Sequence, residues 1–292
     1  MNRIKGILYA AVSSSTFGLA PFFSITLLLA GFSAFEVLSY RWGVASIVLI
    51  VFGWLSGCNF RLAGKDWGVV FLLSLLRAVT SFSLIIAYQN IASGVASTIH
   101  FMYPLAVALA IMFFFREKKS LLVILAVLMS LLGAALLSLG ELEAKSGNTM
   151  VGLVAACVSV FSYAGYIVGV RTTRAVQINS TALTCYVMGL GTIFYLIGAY
   201  CTSGLQLVSD GYTWLIILGL ALPATAISNI TLVQAIKYAG PTLTSILGAM
   251  EPLTAVVIGV FVFKELFTVN SAVGIILILL AVSIVVFRRQ KS

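Results

Sequence analysis

Long apolar stretches alternate with short polar segments along the whole chain, and this spacing is its dominant pattern. A helix rises about 1.5 Å per residue, so roughly 20 apolar residues cross the hydrocarbon core of a bilayer. The pattern therefore predicts an all-α membrane protein with ten transmembrane helices. The predicted spans are 6–28, 35–57, 67–88, 94–115, 121–140, 150–170, 182–203, 212–235, 241–263 and 269–287.

Composition agrees with a lipid environment. The 292 residues are 61% hydrophobic and only 9% charged, whereas a soluble domain carries about 25% charged residues. The net charge of +9 comes from basic residues that lie between the apolar stretches. No basic face is left for phosphates, so we expect membrane lipid as a partner and no nucleic acid.

The distribution of basic residues predicts the orientation, because Lys and Arg collect in cytoplasmic loops. With the N-terminus inside, thirteen basic residues fall on the inner side, two fall outside, and Arg41 and Arg77 lie within spans. We therefore expect a multi-pass protein of the inner (plasma) membrane with both termini in the cytoplasm. The first apolar stretch has no cleavage site after it, so we interpret it as a retained helix.

The two halves of the sequence repeat each other. An offset of 148 brings Pro104 onto Pro252 and Glu117 onto Glu265, and near the start of each half an offset of 146 brings Gly6 onto Gly152. Each half, 1–146 and 147–292, holds five predicted spans, and an odd number inverts the second half relative to the first. Two inverted five-helix repeats around a central cavity are typical of secondary transporters.

The sequence resembles a known family at three places. These are Arg41 in span two, the stretch 97–104 followed by Phe115-Arg-Glu117, and the stretch 248–252 followed by Phe263-Lys-Glu265. They resemble EamA domains of the drug/metabolite transporter superfamily, over residues 4–287. The resemblance implies ten helices around a central cavity and a secondary carrier, often an exporter of metabolites, amino acids or drugs.

Ionisable groups inside a membrane are costly and usually functional. Arg77 and Glu251 each lie ten residues into their spans, which places both near the midplane. They form either a charged pair that lines a substrate cavity or a salt bridge that only holds two spans together. His100, the single histidine, is either a titrating group or a buried hydrogen-bonding side chain. Arg41 lies closer to the outer face, so we expect it to reach outward or to pair with Glu36.

Polar faces and prolines complete the candidate site. The 148 offset brings Arg77 onto Thr225 and Ser81 onto Asn229, so spans three and eight carry related polar faces. Tyr103 and Tyr163 are candidate aromatic walls, with ordinary packing as the alternative. The candidate hinges are Pro104, Pro252 and Pro223, since each proline removes a backbone hydrogen bond from its helix.

These observations favour a carrier of a small polar or zwitterionic solute, such as an amino acid, that works as an exporter. The alternative is a membrane sensor or partner protein that keeps the fold without transporting. Walker, HExxH and GxSxG motifs are absent, so we expect no enzyme, no cofactor and no metal. Protons are candidate coupling ions, and both a monomer and a homodimer are compatible with the sequence. A phosphate-bearing substrate is disfavoured because clustered arginines are not expected in the cavity.

Overall fold

Helices build the fold. In the computed structural model, residues 2–91, 93–114, 121–138, 147–202, 204–251, 253–254 and 269–288 are described, and no β-strand occurs among them. In hydrocarbon every backbone N–H and C=O needs a partner within the chain, and a helix supplies one. The α-helices, labelled α1 to α13 in chain order, are Asn2–Phe17, Ala20–Leu29, Ala34–Leu55, Trp67–Asn90, Ser93–His100, Tyr103–Phe114, Leu121–Ser138, Thr149–Thr172, Ser180–Cys201, Gly211–Ala221, Ser228–Ala239, Pro241–Leu247 and Val269–Arg288.

Six helical stretches in the described part of the chain are long and apolar enough to cross a membrane. They are Ile4–Leu29, Ala34–Leu55, Gly64–Asn90, Thr149–Thr172, Ser180–Cys201 and Gly211–Ala239. Shorter apolar helices lie within the predicted spans four, five and ten, and α12 begins the predicted span nine. Large apolar side chains such as Leu29, Trp54 and Phe114 are exposed on the outside of the bundle. Such a surface needs lipid, so this is a multi-pass membrane protein.

Helices of one half pack against helices of the other. α1 packs along α11, α4 along α8, α3 along α9, α6 along α12, and α7 along α13. In the internal repeat, α1 corresponds to α8, and α4 corresponds to the stretch formed by α10 and α11. The contact of α1 with α11 is therefore the counterpart of the contact of α8 with α4.

Two equivalent glycines show how closely these contacts match. A Cβ on Gly6 would lie 2.8 Å from the Cβ of Ala239, and a Cβ on Gly152 would lie 2.6 Å from the Cγ2 of Ile91. Gly6 and Gly152 are related by the offset of 146, and Ile91 and Ala239 by the offset of 148. Small residues let helices approach closely, so the same tight contact occurs twice between the halves, once with the glycine in the first half and once with the glycine in the second.

Helix irregularities lie where the chain approaches the middle of the bundle. α1 ends at Phe17 and α2 begins at Ala20, and a turn at 101–102 separates α5 from α6 immediately before Pro104. A π-helical segment, Leu222–Ile227, contains Pro223 and joins α10 to α11. The expected irregularity at Pro252 lies outside the described residues. That these prolines act as hinges stays a prediction.

Candidate functional site

Arg77 lies at the centre of the site. Its side chain projects from α4, is only 1% exposed, and donates from Nε to Asn229 Oδ1 at 3.1 Å. Its Nη1 donates to Ser81 Oγ at 3.5 Å. Asn229 is held in turn because its amide nitrogen donates to the Thr225 carbonyl at 2.8 Å. The structure thus brings together Arg77, Ser81 and Asn229, which the sequence placed on related polar faces.

Aromatic rings surround the guanidinium of Arg77. Its Cζ lies 4.9 Å from the ring centroid of Tyr163, 5.3 Å from that of Phe17 and 5.9 Å from that of Tyr166. A cation over an aromatic face is attracted by the ring quadrupole, and more strongly where water is excluded. These rings therefore stabilise the charge of Arg77 without neutralising it.

Arg41 belongs to the same site, and the expectation that it reaches outward or pairs with Glu36 is wrong. Its side chain is only 4% exposed, and its Nε donates to Thr225 Oγ1 at 2.6 Å. Its Cζ lies 5.5 Å from the Phe17 ring centroid, so one ring contacts both arginines. Glu36 instead accepts from the backbone N–H groups of Ser33 at 2.8 Å and Gln206 at 2.6 Å.

The π-helical segment explains why Arg41 turns inward. A π-turn leaves backbone carbonyls without their usual i+4 partners, and the Ala224 carbonyl accepts from Arg41 Nη2 at 3.4 Å. Thr225 donates to the Leu220 carbonyl at 2.7 Å, which orients its oxygen to accept from Arg41. The neighbouring Pro223 lies within the same segment. The irregular backbone of the second half therefore holds a cation from the first half.

A small cavity lies between the two arginines. Its volume is about 20 Å³, and a single water needs about 10–15 Å³. The residues that line it are Phe17, Ala20, Pro21, Ser24, Arg41, Arg77, Thr80, Ser81, Leu84, Ile85 and Tyr88. An organic solute does not fit in this volume.

Glu251 lies near Arg77 but does not form the predicted ion pair with it. Its side chain is 7% exposed and interacts electrostatically with Arg77 and Tyr103. Among the described residues, the ion pair that occurs is Arg174 with Asp66, and no hydrogen bond reaches the Glu251 carboxylate. A Cβ on Gly18 would lie 2.7 Å from the Glu251 carbonyl oxygen, so the break after α1 lies directly against this residue.

His100 is buried beside the tyrosines. Its Nδ1 lies 2.9 Å from Ser159 Oγ, and this hydroxyl also donates to the Ala156 carbonyl at 2.6 Å. Because the hydroxyl proton is used there, Nδ1 carries the proton of the neutral imidazole and Nε2 is an acceptor. Within the described residues, His100 Nε2 has no hydrogen-bond partner, and neither does the hydroxyl of Tyr166. The Ser24 hydroxyl, which lines the cavity between the arginines, also has no partner among the described residues, so three buried polar atoms near the site remain unsatisfied.

Tyrosine packing connects His100 to Arg77. The ring of Tyr163 stacks on His100, with centroids 5.3 Å apart, and meets the ring of Tyr103 at 4.6 Å. The Tyr103 hydroxyl lies directly against Gly248 at the end of α12. The two tyrosines are thus packed against His100 and Arg77, and their role as walls of a substrate site stays a prediction.

The sequence did not single out every residue of the site. Phe17 is central because it contacts both arginines, yet an aromatic residue in an apolar span carries no distinctive signal. The polar run Ser13 to Thr16 directly before it was the available hint. Ser159 was likewise unremarkable by sequence, although it fixes His100. In the described part of the chain, no group of His, Cys, Asp and Glu side chains is arranged to hold a metal ion.

Comparison with known proteins identifies relatives over both halves. A model of the EamA-like transporter family matches residues 4–139 and 150–287. An uncharacterized transporter of Archaeoglobus fulgidus is 28% identical over 238 residues, which are 80% of this chain and 83% of the relative. A solved crystal structure is similar with a TM-score of 0.80 and 18% identity, over 100% of this chain and 99% of the other. The last likeness concerns the fold alone.

Proposed function

Because the chain belongs to the EamA-like transporter family, a family of membrane transporters of the drug/metabolite type, we propose that it exports a small organic metabolite as a secondary carrier. The observation that carries this proposal is a buried site to which both halves contribute a charged residue, Arg77 from the first and Glu251 from the second. In carriers built from related halves, substrate binds where the halves meet near the midplane. Alternating access to this site is the proposed mechanism.

The proposed topology has ten helices in two inverted halves, 1–146 and 147–292, around the central site. Both termini face the cytoplasm, and the host membrane is the inner (plasma) membrane. The distribution of basic residues supports this orientation. The paired contacts of α1 with α11 and of α4 with α8 support a relation between the halves.

The proposed substrate is amino-acid-like. Arg77 Nη2 has no acceptor among the described residues and is available for a carboxylate, while the Glu251 carboxylate is available for an ammonium group. Charge-assisted hydrogen bonds of this kind are strong where water is excluded. Ser81, Thr225 and Asn229 already bind the two arginines, so their proposed role is to position them.

In the proposed mechanism, a solute reaches the cavity between the two arginines only when the helices that line this cavity move apart. The cavity admits about one water, so a solute enters only when helices separate. The proposed hinges are Pro104, Pro223 and Pro252, since a helix bends most easily where proline removes a backbone hydrogen bond. Tyr103 and Tyr163 lie beside these irregular segments and form the proposed movable wall.

A charge-swapped double variant tests the proposal. Arg77→Glu with Glu251→Arg keeps the net charge but offers each end of a zwitterion the wrong partner. We expect a folded protein that has lost uptake of radiolabelled amino acids in proteoliposomes. The matched control swaps the surface pair, Asp66→Arg with Arg174→Asp, and should retain transport. Near wild-type transport by the first variant would end the binding role of both residues.

A further inference from the structure

Arg41 and Arg77 face one cavity with unused hydrogen-bonding capacity. Arg41 donates from Nε and Nη2, and Arg77 donates from Nε and Nη1. Among the described residues, Arg41 Nη1 and Arg77 Nη2 have no acceptor, although both side chains line the cavity. A guanidinium offers five N–H donors in a planar fork that matches a carboxylate. Each arginine thus keeps one terminal nitrogen that can donate a hydrogen bond to a ligand.

The charge of this pair of arginines is not balanced by the residues around the cavity. No acidic side chain lines the cavity, and neither arginine forms an ion pair within the described part of the chain. Both contact the ring of Phe17, so two like charges lie close together beside a cavity that admits about one water. Buried charges are normally paired. The missing counter-charge is therefore expected from a ligand.

We infer that the substrate carries two acid groups and that Arg41 recognises the second one, as for an acidic amino acid. This inference rests on the proposed transport function. The first carboxylate binds Arg77, the second binds Arg41, and the ammonium group faces Glu251. Two arginines and an ionised glutamate sum to one positive charge, which an acidic amino acid, with one net negative charge, neutralises. The sequence had argued against clustered arginines, but the inward turn of Arg41 creates such a cluster.

Arg41 is held by neutral partners, so it can distinguish a charged substrate from an uncharged one of the same shape. Thr225 Oγ1 and the Ala224 carbonyl fix its orientation without removing its charge. When a substrate with an amide in place of the second carboxylate binds, Arg41 keeps a buried charge without a counter-ion. The site therefore rejects an uncharged analogue of the same size and shape.

Matched amino acids test the inference on the full-length protein in detergent and in proteoliposomes. Aspartate and glutamate differ from asparagine and glutamine only by the charge of the second group. We expect the acids to raise the melting temperature and to compete in counterflow at concentrations roughly 10- to 100-fold lower than the amides, the usual range for a hydrogen bond to a charged group. Arg174→Gln, which changes an exposed arginine, should leave this preference unchanged.

Variants of the two arginines separate their roles. Arg41→Gln should abolish the preference for acids over amides while amide binding remains, and Arg77→Gln should abolish binding of both. Arg41→Lys keeps the charge but not the planar fork, so it should retain part of the preference. If Arg41→Gln does not fold, the role of Arg41 is tested by the preference for acids over amides in the wild type and by its partial loss in Arg41→Lys.

Each outcome bears on a different claim. Equal affinity for acids and amides in the wild type, or equal losses of both in Arg41→Gln, overturns the role of Arg41 and leaves the proposed carrier intact. Transport of other amino acids but of none of these four overturns the acidic substrate and leaves the amino-acid-like substrate intact. Transport of other solutes but of no amino acid refutes the amino-acid-like substrate. Absence of flux for every solute tested refutes the carrier itself.

Discussion

Two acidic side chains are buried among the described residues, and their surroundings differ. Glu36 accepts backbone hydrogen bonds from Ser33 and Gln206, and it completes a capping box at the start of α3. Glu251 has no such bonds and no ion-pair partner in the described part of the chain. An ionised carboxylate in that condition is costly inside a membrane. We therefore propose Glu251 as the residue that takes up and releases a proton during transport.

The prediction for Glu251 is a loss of proton coupling. Glu251→Gln removes the ionisable group but keeps its size, so a pH gradient should no longer drive flux, while exchange of substrate for substrate persists. Both rates are measured in proteoliposomes with and without an imposed gradient. Glu36→Gln is the control, because it weakens a helix cap and should lower the melting temperature without changing the pH dependence. Unaltered pH dependence in Glu251→Gln would contradict the coupling role.

The position of Arg77 and Glu251 along their predicted spans was enough to mark them as candidate site residues, because charged residues ten positions into an apolar span are rare. It was not enough for Arg41. A long side chain near a membrane face can turn toward water or toward the interior of the bundle. Which direction it takes depends on where a hydrogen-bond acceptor is available. That acceptor, the Ala224 carbonyl, is created by a π-helical segment. Hydropathy does not encode such a segment, although Pro223 marks its place.

The six long spans were predictable because a bilayer imposes a minimum length on every helix that crosses it. The interruptions were predictable only in part. Pro104 and Pro223 lie at interruptions of their helices, whereas the break between Phe17 and Ala20 precedes its proline. That break lies against the backbone of Glu251, where Gly18 permits close approach. A tertiary contact of this kind leaves no periodic signal in the sequence.

Close helix contacts at single glycines yield a prediction about stability. Gly6→Ala places a methyl group 2.8 Å from the backbone nitrogen and the Cβ of Ala239, which cannot move without shifting α11. We expect a loss of about 1–3 kcal/mol, the usual cost of overpacking, seen as a lower melting temperature in detergent. Gly68→Ala is the control, since no atom lies within 4 Å of the added group. Equal stability of both variants would contradict the close contact.

The whole molecule has an orientation that labelling can test. With the four native cysteines replaced by serine, single cysteines are placed at Ser209 and Lys65, both exposed. If both termini are cytoplasmic, an impermeant maleimide applied to intact cells should label the first position and spare the second until the cells are broken. The opposite pattern would reverse the topology, and labelling of both or of neither in intact cells would contradict the number of crossings between them.

The close helix contact at Gly6 and its counterpart at Gly152 bear on the free energy needed to separate the helices at each end of the bundle. In the proposed topology, the contact of Gly6 with Ala239 closes the cytoplasmic end of the bundle, and the contact of Gly152 with Ile91 closes the opposite end. Under the proposed alternating access, these two contacts act as gates built from equivalent parts, so we expect that separating either one costs a similar free energy. Conformations open to either side are then expected to have comparable populations at equilibrium. In that case the concentrations and proton activity on the two sides of the membrane set the direction of net transport, and we expect reversed gradients to reverse the flow.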